Sequence, residues 1–77
     1  MKIYGKHKRE SEQPVLLEEV TIVVTRDDVL NLIRFLSACA ADMESNPDWE
    51  HVHLRDFLDN GSLVPDLVLF AADKLPS

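Results

Sequence analysis

Apolar and polar positions alternate most regularly over residues 15–25. Val20, Ile22 and Val24 fall on one face, and Glu19, Thr21, Val23 and Thr25 on the other. A period of two carried by β-branched residues predicts a strand with one face on a core. Residues 2–5, with Ile3 and Tyr4 before Gly5, predict a shorter strand. Between them, residues 6–14 are polar and aperiodic and read as a mobile loop, in which Pro14 confines Gln13 to extended backbone. The two strands are close enough in sequence to pair as an antiparallel hairpin.

At Thr25 the period changes. Thr25-Arg26-Asp27-Asp28 has the form of a capping box, and Asp27 and Asp28 oppose the helix dipole favourably. Apolar residues recur as Val29, Leu32/Ile33, Phe35/Leu36, Cys39/Ala40 and Met43. At 3.6 residues per turn they span an arc of roughly 160°. Asn31, Arg34, Ala38, Asp42 and Ser45 fill the other side, and Asn46-Pro47 ends the pattern. The helix predicted is about 20 residues, or roughly 30 Å, long and lies with one side on a sheet.

Residues 48–60 fit both periods. His51, His53 and Arg55 alternate with Val52, Leu54 and Asp56, while Leu54, Phe57 and Leu58 are spaced as on a helix. The reading adopted is an extended entry through His53 and a short helical turn through Leu58. Asn60-Gly61 is a turn signal, and residues 67–71 predict a strand apolar on both faces, followed by a tail at 73–77. The expected architecture is a single α+β domain over residues 1–77: a small two-layer ββα(short element)β fold, one long helix packed on a three-stranded sheet. One sheet face would lack a helix, and with the doubly apolar 67–71 strand it offers a homodimer surface.

Composition narrows the function classes. The 77-residue chain carries 14 acidic against 8 basic residues, for a net charge of −6. Lys2, Lys6, Lys8 and Arg9 precede every acid, so the remainder carries four basic residues against all fourteen acids. Such a body repels phosphate, which disfavours nucleic acid, and suits docking onto a basic partner. Cys39 is the single cysteine, so no intrachain disulfide forms; on an apolar helix face it reads as a buried structural thiol. No run has the length or apolarity of a signal peptide or a membrane span, which makes the expected compartment the cytoplasm.

The densest chemistry is His51-Val52-His53-Leu54-Arg55-Asp56-Phe57. His-x-His on a strand puts both rings on one side, and Asp48, Glu50, Asp56 and His7 are available as further ligands, but none stands at an established zinc spacing. Metal binding through His51 and His53 is therefore only an alternative, and no cofactor is expected. No nucleophile elbow or phosphate-cradling loop is present, the only glycines being Gly5 and Gly61. No catalytic residue is assigned. Trp49 sits among acids, either as a plug over the helix end or as an aromatic anchor at an interface. Arg55 is placed to reach a carboxylate or the carbonyls at the end of the long helix, and Asp56 to cap the following turn. The segment then fastens the helix–strand connection.

These motifs, from the Thr-initiated helix with its acidic end Asp42-Met43-Glu44, through His51-x-His53-Leu54-Arg55-Asp56-Phe57, to Pro65-Asp66-Leu67-Val68-Leu69, resemble the immunity protein 32 family of bacterial polymorphic toxin systems over nearly the whole chain. The resemblance implies a small cytoplasmic α+β protein, not an enzyme, that neutralises a cognate toxin, often a nuclease, by stoichiometric binding. The partner expected is a basic toxin domain, with no nucleic acid or membrane involved. Candidate partner-binding residues are Glu44, Asp48, Trp49, Glu50, His51, His53, Asp56 and Asp59. A small structural or regulatory homodimeric module is the alternative.

Overall fold

The computed structural model describes residues 1–6, 14–58 and 66–74. Two short strands, β1 (Ile3–Gly5) and β2 (Val15–Leu17), precede a long helix, α1 (Arg26–Ser45). A strand β3 (His51–His53) runs directly into a one-turn helix, α2 (Leu54–Phe57), and β4 (Val68–Phe70) leads to a closing 3-10 turn at Ala72–Lys74. The α+β class and the single long helix follow the sequence expectation, as does the strand-to-turn switch at His53.

The sheet differs. The expected three-stranded sheet does not form among the described residues, which hold two separate antiparallel pairs, β1 with β2 and β3 with β4. The strand expected over residues 15–25 is strand only at Val15–Leu17. Ile3 stands opposite Leu17, Tyr4 opposite Leu16 and Gly5 opposite Val15, and the pairing goes no further among the described residues. Val20, Ile22, Val23 and Val24 are all exposed, and their backbone groups have no partner among the described residues. A Cβ at Gly5 would lie 2.8 Å from Cδ1 of Leu17, so a larger residue there requires the end of that side chain to shift.

Helix α1 starts and stops as the sequence predicts. The Thr25 hydroxyl accepts from the Asp28 N–H at 3.2 Å, and the Asp28 carboxylate accepts from the Thr25 N–H at 2.9 Å, completing the capping box. At the other end the Asn46 N–H donates to the Asp42 carbonyl, and the Asn46 side chain accepts from the Asp48 N–H, turning the chain through Pro47. The core is small. Among the described residues the buried apolar side chains are Phe35, Cys39 and Ala71, with Phe35 fully enclosed and its ring 5.4 Å from that of Phe57. Only part of the predicted 160° arc is therefore buried. Leu32 is half-buried beside Phe35 and Cys39, while Val29, Ile33, Leu36 and Met43 remain exposed.

Candidate functional site

The β3–β4 pairing organises the polar residues. His51 stands opposite Phe70, Val52 opposite Leu69, and His53 opposite Val68. The ladder extends one step each way, with the Ala71 N–H donating to the Glu50 carbonyl at 2.7 Å and the Leu54 N–H to the Leu67 carbonyl at 2.8 Å. Strand alternation then sorts the side chains. Val52 and Leu69, both half-buried, share one face, and His51, His53, Val68 and Phe70 share the other. The His51 ring stacks on Phe70, centroids 5.1 Å apart and planes within 5°. The His51 and His53 centroids are 5.5 Å apart, so His-x-His does put both rings on one side.

Asp66 is the hub. Its side chain is 12% exposed and accepts three hydrogen bonds: from His53 Nδ1 at 2.5 Å, from the Arg55 backbone N–H at 3.2 Å and from the Arg55 guanidinium at 3.1 Å. For the first of these, Nδ1 carries the proton. Burial by itself pushes the Asp66 carboxyl up. The bonds from His53, from the Arg55 N–H and from the Arg55 guanidinium, with the charge of that guanidinium, outweigh burial and hold it down at about 2. The same contacts cap α2. His53, at the N-cap position, makes no side-chain cap bond, so the orphan N–H of Arg55 is satisfied by a carboxylate 11 residues away and that of Leu54 by the Leu67 carbonyl.

The expectation for Arg55 is met through Asp66, a carboxylate, rather than through the end of α1. The cap expected of Asp56 falls on a turn that runs into residues outside the described set, while the first turn of α2 is capped by Asp66. The clasp thus fastens β3 and α2 to the entry of β4. Asp66 and Arg55 were outside the candidate set. The signal that points to them is the pairing of Val52-His53-Leu54 with the aliphatic stretch Leu67-Val68-Leu69, which, run antiparallel, brings Asp66 beside Arg55.

The remaining candidates lie around this hairpin. Glu44 is exposed on the last turn of α1, and Asp48 is exposed in the turn after it. Trp49 is half-buried, its N–H donating to the Asn46 carbonyl. Glu50 is exposed and pairs with His51 Nδ1 at 3.0 Å; Asp56 is exposed on α2. Asp59 lies outside the described residues. His51 and His53 are thus each engaged by a different carboxylate, and no group of three or more His, Cys, Asp or Glu side chains among the described residues is arranged to hold a metal ion. A shallow depression between α1 and α2 is lined by Asn31, Arg34, Phe57 and Leu58. No helix among the described residues is long and apolar enough to cross a membrane. Comparisons with family models, curated proteins and solved structures found no match.

Proposed function

We propose that this chain is a non-enzymatic protein-binding domain of the cytoplasm, an immunity protein that neutralises a basic bacterial toxin domain by stoichiometric binding. The observation that supports the reading best is the set of exposed carboxylates, Glu44, Asp48, Glu50 and Asp56, that lie close in sequence to the half-buried Trp49 and to His51, whose ring stacks on Phe70. The one cation in that stretch, Arg55, is engaged by Asp66, so it does not neutralise them. Aromatic residues among acidic ones suit an interface whose affinity comes from the aromatics and whose association rate comes from charge. Nuclease surfaces are basic because they attract phosphate, and an acidic surface competes for the same field. The resemblance to the immunity protein 32 family points the same way.

The test is calorimetric titration of the chain with the toxin domain encoded beside it, together with inhibition of that toxin. The expected result is one-to-one binding that weakens with added salt and weakens at least about tenfold in Asp48→Lys and Glu50→Lys, in line with the salt and charge dependence of steered complexes. Absence of binding, or binding indifferent to salt and to both reversals, overturns the reading.

A further inference from the structure

Helix α1 carries two apolar faces, and the fold covers one. Leu32, Phe35 and Cys39 form the inner face. Val29, Ile33, Leu36, Ala40 and Met43 form a second, at alternating spacings of four and three residues. That is the spacing of a helix-packing seam. All five are exposed, and the four large ones are between 41% and 54% exposed. We propose that this seam is a homodimer interface, on which α1 of a second copy packs antiparallel about a two-fold axis at Leu36.

The seam is self-complementary in that orientation. With Leu36 on the axis, Val29 meets Met43 of the partner copy, and Ile33 meets Ala40. An interface that uses one patch on both subunits requires this kind of symmetry. Charge selects the same orientation. Arg26 and Glu44 lie on the same side of the seam, each 60° from Val29 at 100° per residue, and at its opposite ends. Arg26 is ten residues, about 15 Å, before Leu36, and Glu44 eight residues, about 12 Å, after it. Antiparallel packing therefore puts Arg26 of each copy within an arginine's reach of Glu44 of the other, twice by symmetry. Parallel packing would place the two Arg26 at the same end but on opposite flanks of the seam, with Glu44 at the far end, and would form no such pair. Both residues are exposed and without an ion-pair partner among the described residues.

The dimer does not rest on the toxin reading, but it takes Glu44 out of the partner-facing carboxylates and into the contact between copies, leaving Asp48, Glu50 and Asp56 for another partner.

Sedimentation equilibrium of the full chain, from micromolar to sub-millimolar concentration, tests the proposal. The wild type is expected at twice 8.8 kDa. Leu36→Glu should sediment as a monomer while keeping its helical circular dichroism. If that variant unfolds, the charge swap decides: Arg26→Glu and Glu44→Arg each weaken dimerisation about five-fold or more at low salt, and together restore it. A wild type monomeric throughout the range, a folded Leu36→Glu that remains dimeric, or a double swap that restores nothing overturns it. None of these readouts involves a toxin, so failure here is distinct from failure of toxin binding.

Discussion

Replacing Asp66 by Asn keeps the size of the side chain and an oxygen acceptor for the Arg55 N–H, and removes the charge. The carboxyl sits at about 2 in the folded protein against an ordinary 3.8. At 1.36 kcal/mol for each tenfold change in proton affinity, that difference is worth about 2.4 kcal/mol of folding stability when the group is fully ionised. Because the folded value is the depressed one, the contribution is complete above the unfolded value and disappears as pH falls through the folded one. Linkage gives about 2.4 kcal/mol at pH 7, about 1.3 at pH 3 and about 0.4 at pH 2. Asp66 is well screened from water, but His53 and Arg55 are each more than a third exposed, so solvent trims the gain to about 2 kcal/mol at neutral pH.

In a domain of this size that is a large share of the total stability. Urea unfolding followed by Trp49 fluorescence and far-ultraviolet dichroism at pH 7, 4, 3 and 2 should find Asp66→Asn less stable by about 2 kcal/mol at pH 7, with the gap to wild type closing towards pH 2. A gap below about 0.5 kcal/mol at pH 7, or one that stays constant from pH 7 to pH 2, refutes the clasp as an electrostatic device.

Two further outcomes follow from local structure. Thr25→Ala removes the hydroxyl that accepts from the Asp28 N–H and should lower stability by about 1 kcal/mol in urea unfolding, with fraying confined to the first turn of α1. Cys39 is buried, and burial, followed by the nearby charge of Asp42, raises its thiol, so alkylation of the native protein at pH 8 should be at least about tenfold slower than in denaturant.

What was legible in the sequence was local. The capping box of α1 spans four consecutive residues, and the Asn46-Pro47 stop two, so each declares itself without knowledge of the fold. The switch from strand to helical turn at His53 was legible for the same reason. Pairing was not. Alternation over residues 20–24 reports a segment suited to a sheet, and it does not say whether another strand lies beside it; among the described residues none pairs with it. Residues 67–71 were expected to complete one sheet with the first two strands, and instead β4 pairs with β3, the strand nearer in sequence. Asp66 escaped the candidate set because its partners, 11 and 13 residues earlier, meet it only once that hairpin has closed. Periodicity sums everything apolar on α1 into one arc of roughly 160°; only packing separates the side on Phe35 from the side carrying Leu36.

That separation ties stability to association. With Phe35, Cys39 and Ala71 as the described buried apolar side chains, the hydrophobic contribution of a lone copy is small, and much of what could enlarge it lies on the uncovered seam. If a second copy covers that seam, folding and dimerisation share one equilibrium, and the melting temperature depends on protein concentration. Each tenfold increase in concentration then adds about 1.4 kcal/mol per dimer; set against an unfolding entropy of about 2.1 cal/mol/K per residue over two chains, the midpoint rises about 4 °C. Leu36→Glu, if folded, should melt at one temperature whatever its concentration. Scanning calorimetry over two decades of concentration separates the cases: a wild-type midpoint that does not move places the stability of the chain within a single copy and leaves the seam as ordinary exposed surface.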